Sequence, residues 1–354
     1  MDTDVPDLTA AAQAIDPEQL RETRRLERQL ASAQAAARLE RAKRLQAEME
    51  LAEAQQREEL LLALKDEVTE YTLEPLPARG GKPGVTAVIC CTDWHAEEHV
   101  EPSLANERNA FDLEICQRRV SKLWHKAIER IRLNRKEVTI DDAVLWFGGD
   151  LISGAIHPEL EETNLLGPTE AVTTVKQLMR AGIQELLGPG RIKRLHVIVN
   201  MGNHSRTTPR KRHASGYRHS WEYLLAHDLA DWFSADTRVT WQIPKGYHAY
   251  TTIRGWTVRF HHGDAIGYSG GVGGITIPVN KKIPRWNSAQ PADFDVFGHF
   301  HQYMDTWTWT SCGCLVGYNA FAVQIGAGYQ VPTQTLILID EKHGKSTVVP
   351  IYVD

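Results

Sequence analysis

Five strand-like apolar runs in this chain finish in side chains that can do chemistry. TAVICC is followed by Thr92-Asp93-Trp94-His95, AVLWF by Gly148-Gly149-Asp150, and HVIVNM by Gly202-Asn203-His204. TVRF is followed by His261-His262-Gly263-Asp264, and FDVF by Gly298-His299-Phe300-His301. One Asp, Asn or His after a strand is ordinary turn chemistry. Five in succession are not, because strand ends are where α/β proteins place their reactive groups. Glycines at several of these turns let the backbone bend sharply, so the side chains can converge on one point. Imidazole and carboxylate together suit Mn, Fe or Zn better than Mg, which prefers an all-oxygen shell.

To bring such ends together the chain needs buried sheets with helices between strands. Beyond residue 84 short apolar runs alternate with helical stretches: TAVICC, then 107–133, AVLWF, then 169–187, LHVIV, then 220–233, and later WTVRF and FDVFG. This alternation predicts an α/β domain. TWTWTSCGCLVGY, QTLILID and STVVPIYV follow with little helical pattern between them, which predicts antiparallel strands closing a second sheet. The chain's 354 residues are enough for a substantial core.

From Asp16 to about Glu70 the composition is that of a long helix, with Asp16-Pro17-Glu18-Gln19 as its start signal. At about 1.5 Å per residue it would extend on the order of 80 Å. Leu26, Leu30, Ala33 and Ala37 keep one coiled-coil phase, and Ala42, Leu45, Met49 and Ala52 keep a shifted one. The expectation is an arm over residues 1–72 that self-associates into a homo-oligomer, against the alternative of a solvated single helix. LEPLPARGGKPG, residues 73–84, holds three prolines and three glycines and reads as a linker, leaving 85–354 as the catalytic domain.

A formal charge of −5 and a pI near 6.3 argue against the whole surface being a nucleic-acid or anionic-membrane binder. No apolar run approaches a membrane span, and the acidic start MDTDVPDLTA lacks a signal-peptide core. The expected setting is soluble and cytoplasmic, the host cytoplasm if the chain is phage-encoded. The five cysteines, Cys90, Cys91, Cys116, Cys312 and Cys314, have no disulfide-scaffold or zinc-ribbon spacing and read as buried packing thiols.

In their order along the chain, Asp-x-His, Gly-Asp, Gly-Asn-His, His-Gly and Gly-His-x-His resemble the motifs of the calcineurin-like metallophosphoesterase superfamily over about residues 86 to 301. The likeness is greatest to stand-alone bacteriophage or bacterial members. The resemblance implies a metallophosphoesterase double β-sandwich flanked by helices, holding two divalent metal ions, with Mn preferred and Fe, Zn or Mg as alternatives. It gives one metal to Asp93, His95 and His301 and the other to Asn203, His262 and His299, with Asp150 bridging both. Such a pair can bind phosphate oxygens and lower the pKa of a shared water. His204 matches the histidine that stabilises or protonates the departing oxygen. His262 is preferred to His261 because it precedes Gly263 and shares strand parity with Val258 and Phe260. His99 lies four residues after His95 but outside the Asp-x-His pattern. Many members carry an acid after Gly-Asn-His, where this chain has Ser205 and Arg206.

Arg206, Arg210, Lys211, Arg212 and Arg218 follow Gly-Asn-His with no acid before Glu222, a stretch able to hold a polyanion. Its alternative is a solvated basic loop. Lys281, Lys282 and Arg285 form a second cationic stretch, and the ten tryptophans are mainly packing residues. The leading expectation is a metal-dependent phosphodiesterase acting on nucleic acid, a nuclease on DNA or RNA. The alternatives are a phosphomonoesterase or cyclic-nucleotide phosphodiesterase with a small substrate, and a non-catalytic coiled-coil binding module.

Overall fold

The computed structural model describes residues 17–63, 70–268 and 274–354. Its first compact unit, Met1–Asp66, is built on one helix, α1 (Pro17–Ala63). Proline is tolerated at the first helical position because its missing N–H has no partner there in any case. No glycine or further proline follows before Ala63. Arg44 to Glu48 and Gln46 to Glu50, both at 3.1 Å, add i,i+4 support of a few tenths of a kcal/mol each. Leu26, Leu30, Leu45 and Met49 are exposed along it. The expected cap at Asp16 and the last turns toward Glu70 lie outside the described residues.

The second unit, Glu67–Asp354, starts earlier than the sequence suggests. Glu70–Leu73 is a strand, β1, and the Pro/Gly-rich stretch after it is tied down rather than free: Leu76 N–H donates to Asp142 at 2.7 Å and Arg79 N–H to Thr139 at 3.2 Å. There follow β2 (Gly84–Cys91), α2 (Leu113–Asn134), β3 (Thr139–Phe147), α3 (Pro158–Thr163), α4 (Pro168–Leu187), β4 (Arg194–Val199), α5 (Trp221–Trp232), β5 (Val239–Gln242) and β6 (Ala249–Ile253). The chain continues through β7 (Trp256–His261), α6 (Thr276–Asn287), β8 (Phe294–Phe297), β9 (Met304–Asp305), β10 (Trp309–Ser311), α7 (Ala320–Gln324), β11 (Thr333–Asp340) and β12 (Gly344–Tyr352).

These strands make two six-stranded sheets, ordered β12-β11-β2-β3-β4-β5 and β1-β6-β7-β8-β10-β9. β2 through β5 are mutually parallel, as are β7, β8 and β10. The C-terminal stretch behaves differently from the expectation of a run closing the second sheet. β11 and β12 add antiparallel to the edge of the first sheet, and only β10 joins the second. Gln334 to Ile339 is buried throughout, because Leu336 and Leu338 face the core under the helices and Ile337 and Ile339 face the core between the sheets.

Period-two alternation decides which residues meet. Val85, Ala87, Ile89 and Cys91 of β2 face a core shared with α2, α4 and α5, whereas Val88 and Cys90 face Val258, Phe260 and Val296 of the opposite sheet. A third cluster packs Val279 and Ile283 of α6 on the outer face of the second sheet, against Phe297 and Trp309. The architecture is therefore helices, sheet, sheet, helix, a double β-sandwich flanked by helices. Each fully buried aliphatic or Phe side chain contributes about 1.5–3 kcal/mol to holding these layers. All five cysteines are free and buried, as packing thiols should be. Among the described residues no helix is long and apolar enough to cross a membrane.

Candidate metal centre

The ends of β2, β3, β4, β7 and β8 gather the sequence-predicted groups. Asp93 N–H donates to Gly149 O at 3.0 Å and His95 N–H to Asp150 O at 3.1 Å, so the turns after β2 and β3 are knitted together by their backbones. Leu315 N–H donates to Asp93 O at 3.0 Å and Gly298 N–H to His262 O at 2.9 Å. Asp93, His95, Asp150, His299 and His301 all have left-handed φ, between 46° and 72°. Such residues cost energy without glycine's freedom and persist where the surroundings over-determine them. Two glycines permit the close approach: a Cβ on Gly202 would meet Asp150 Oδ1 at 2.1 Å, and one on Gly298 would meet Asp93 Oδ2 at 2.4 Å.

Two groups of ligand-type atoms result, each within 4.8 Å across: Asp93, His95 and His301, and Asp150, His262 and His299. Asp93, His95, Asp150 and His262 are buried. The residues fit divalent cations on the evidence of their own unpaired atoms. His95 Nε2, His262 Nε2 and Asn203 Oδ1 are buried without a hydrogen-bond partner. His262 Nε2 lies 2.9 Å from Asp150 Oδ2 yet off the line of a hydrogen bond, as two lone pairs aimed at a common ion would be. Buried polar atoms left unpaired cost about 1–3 kcal/mol each, which a bound cation removes.

The opposite ring nitrogens explain why those lone pairs are available. His262 Nδ1 sits 2.7 Å from Gly148 O, a pure acceptor, so Nδ1 carries the proton of the neutral ring and Nε2 is the nitrogen left to meet a cation. His261 points to the other face of β7, stacked on Phe297 at 5.2 Å and 3.3 Å from Asp295, which is itself paired with the buried Arg259. His204 N–H donates to Asp150 Oδ1 at 2.7 Å, and His204 Nδ1 is 2.9 Å from Ser153 O. His99 belongs to neither group.

Electrostatics lead to the same requirement. Burial works to raise Asp150, but charge on His262 and His204 holds its carboxyl well below the usual range. Burial opposes charge on His262, and Asp150 overrides it, pushing the imidazole up to about 10. His301 is likewise raised, by Cys314 and Asp93 against its burial. His95 is pushed well down by burial and by His204 and His301, and His299 falls to about 4 through burial and His262. Without cations the carboxylates recruit protons onto two imidazoles; cation binding would displace them.

Several residues that hold this arrangement escaped the sequence reading. Glu222, buried on α5, accepts Leu151 N–H and Gly202 N–H, both at 2.7 Å, and so clamps the turns after β3 and β4. Burial, and then Asp150, push its carboxyl up to about 7. Gln334 accepts Thr92 N–H at 2.9 Å and Trp94 Nε1–H at 3.1 Å, fixing the turn that carries Asp93. His95 Nδ1 lies 3.0 Å from Ser153 Oγ, which lies 3.4 Å from Glu98. None of these stands in a motif. Glu222 alone left a trace, as the first acid after five cations.

The cations after Gly-Asn-His are not equivalent. Arg206 is spent on the loop, donating to Asn203 O at 2.5 Å and Thr208 O at 3.1 Å. Lys211 pairs with Asp264 at 2.7 Å, and Arg218 donates to Tyr217 OH at 3.0 Å. Arg210 and Arg212 are exposed. Ser205 bonds Ser220 at 2.9 Å, so the residue in the usual acid position does not orient His204; the Ser153 carbonyl does. Lys281, Lys282 and Arg285 lie on α6, where Lys282 covers the Trp286 ring.

Neither a protein-family profile nor a curated protein matches the chain. Among solved structures it is similar to a single mutant of Vps29 from Entamoeba histolytica at 11% identity, over 75% of this chain and 98% of that one, with a TM-score of 0.32. Vps29 from Cryptosporidium parvum is similar at 11% identity over 75% and 97%, with a TM-score of 0.31. The Thermus thermophilus sulfate thiohydrolase SoxB is similar at 9% identity over 80% and 58%, with a TM-score of 0.34. At these values the likenesses add nothing to the site's own geometry.

Proposed function

We propose that this chain is a dinuclear-metal phosphodiesterase of the calcineurin-like kind, with nucleic acid as its substrate. The observation that carries the reading is the convergence of six ligand-type residues, in the family's order, on two groups, with His95 Nε2, His262 Nε2 and Asn203 Oδ1 buried without a protein partner. Asp93, His95 and His301 would hold one divalent ion, and Asn203, His262 and His299 the other, with Asp150 between them. When bound, two such ions supply Lewis acidity to the phosphoryl oxygens and a nucleophile at neutral pH.

The chain's own residues do the rest. His204, with Nδ1–H held on the Ser153 carbonyl, turns Nε2 outward; in its imidazolium form it would give the Nε2 proton to the departing oxygen and regain one from water. Asp150, fixed by the His204 N–H, keeps that imidazole and the ligand set in one register. Arg210 and Arg212 stand in solvent to meet further phosphates of a polymer. The engagement of Arg206 and Lys211 within the protein favours the second reading, a small diester or monoester that needs no extended groove.

One panel separates them. The purified chain with Mn, Mg, Zn or Fe is offered a chromogenic diester, a monoester, cyclic nucleotides, single- and double-stranded DNA, and RNA. The expected result is chelator-sensitive diester cleavage, with polymer binding that weakens as salt rises. In Arg210→Ala/Arg212→Ala the logarithmic salt slope should fall by about 1 to 2 while small-diester turnover stays unchanged. Chelator-insensitive activity would sink the metal reading; full activity on small esters with none on polymers would replace the substrate.

A further inference from the structure

We infer that Ser153 and Glu98 are positioning residues that fix the tautomers of two imidazoles at once, holding both ring protons on Nδ1 and leaving Nε2 of His95 for a cation and Nε2 of His204 facing outward. The inference rests on the dinuclear reading for its purpose but on this chain's hydrogen bonds for its content.

Glu98 ends the chain of donors. Its Oε1 accepts from Asn319 Nδ2 at 2.6 Å, and its Oε2 lies 3.4 Å from Ser153 Oγ and 3.8 Å from His95 Nδ1. A carboxylate only accepts, so the single hydroxyl proton of Ser153 turns to it. The serine oxygen, 3.0 Å from His95 Nδ1, then has only lone pairs to offer, and His95 must carry its proton on Nδ1. His95 Nε2 is left bare, and it is the buried nitrogen without a partner. A carboxylate feeding a ligand imidazole in this way also raises its basicity as a ligand.

The backbone of the same serine does the equivalent for His204. A carbonyl has no proton to give, so at 2.9 Å it fixes His204 in the Nδ1–H form and leaves Nε2 outward. The two rings meet edge to face with centroids 4.8 Å apart. The turn itself cannot drift. Gly154 N–H donates to the buried Glu97 at 2.8 Å, and Gly154, at φ 61°, passes so close to His204 that a Cβ would meet its carbonyl oxygen at 2.4 Å. Ser153 thus supplies the tie that the missing acid after Gly-Asn-His does not.

The test uses the full chain and three readouts. In Glu98→Gln the amide oxygen can keep the Asn319 bond and its NH2 can turn to Ser153, so that the serine hydroxyl donates a hydrogen bond to His95 Nδ1 and the ring proton moves to Nε2. Nitrogen-15 NMR of the metal-free protein should show His95 as the Nδ1–H tautomer, and the Nε2–H tautomer in Glu98→Gln. Titration with Mn(II) should show one of two ions bound about 10- to 100-fold more weakly in Glu98→Gln and Ser153→Ala, with Ser153→Thr restoring it. Leaving-group dependence of hydrolysis should survive Ser153→Ala, because the carbonyl remains. An unchanged His95 tautomer in Glu98→Gln, or unaltered affinity for both ions in both variants, overturns the inference. A wild-type chain that shows the expected tautomers but binds no Mn(II) overturns the dinuclear reading and leaves the hydrogen-bond relay standing.

Discussion

The turns at the strand ends and the loop over residues 203–220 are adjacent in sequence and opposite in construction. At the strand ends the functional side chains are anchored by backbone groups: Asp93 by His299 N–H at 2.9 Å, Asp150 by His204 N–H at 2.7 Å, His262 by Gly148 O at 2.7 Å. In the loop Arg206 holds the loop itself and Arg210 and Arg212 stand in solvent, with Lys211 alone among these four cations paired to a carboxylate outside the loop. The first region has a fixed geometry waiting for ions. The second has charge without geometry, which suits a ligand recognised by charge alone. If that division is right, substitutions in the two regions should fail in different ways and by very different amounts.

The largest effect belongs to Asp150. Asp150→Asn keeps an oxygen for the His204 N–H but removes the charge between the two ligand groups. We expect both metal content and diester turnover to fall by more than about 100-fold, the range already reached by losing a ligand's supporting partner. Elemental analysis with turnover measured at saturating Mn(II) checks it. Full activity restored by excess metal would show the two ligand groups to be less dependent on their shared carboxylate than the geometry implies.

Glu222 comes next, and its loss should register as stability. Glu222→Ala leaves the N–H groups of Leu151 and Gly202 buried and unpaired, a cost on the order of 2–4 kcal/mol. Denaturant unfolding should show that loss, with metal binding weakened because two ligand turns come loose together. A destabilisation below about 0.5 kcal/mol would mean water or a shifted backbone replaces the carboxylate, and the strand-end region would be softer than described.

How much of this was legible beforehand follows from the same contrast. The strand ends were readable because each candidate ligand falls within a few residues of the end of an apolar run, and four of them, Asp150, Asn203, His262 and His299, stand beside a glycine, so type, spacing and element arrive together in one short window. His262 could be chosen over His261 because β7 alternates, and parity is a local property. Glu222, Gln334, Ser153 and Glu98 could not be found, since each meets its partner only through the fold: Gln334 reaches Thr92 across 242 positions of sequence. Sheet membership was lost for the same reason. β11 looks alike whether it closes a second sheet or pairs with β2, and only the long-range pairing itself decides. The early start of the second unit was hidden because β1 is four residues long and runs straight into prolines that signal a linker.

The smallest effect is the sharpest test of the loop. The sequence groups Lys211 with its neighbours as a phosphate contact, but its ammonium lies 2.7 Å from the carboxylate of Asp264, two residues beyond His262. Lys211 is 43% exposed in its side chain and Asp264 14%, so the pair is worth no more than about 1 kcal/mol to stability. Its consequence is geometric: it pins the middle of the cationic loop to the end of β7, leaving Arg210 and Arg212 on either side of the pin. Lys211→Ala should therefore barely change the melting temperature and should leave the salt slope of nucleic-acid binding as it is, because a neutralised lysine releases no counterion. Asp264→Asn should do the reverse, freeing the ammonium and steepening the slope by about 1. A slope reduced by about 1 in Lys211→Ala would return that lysine to the phosphate-binding set and make the loop more like the strand ends, with charge placed rather than spread.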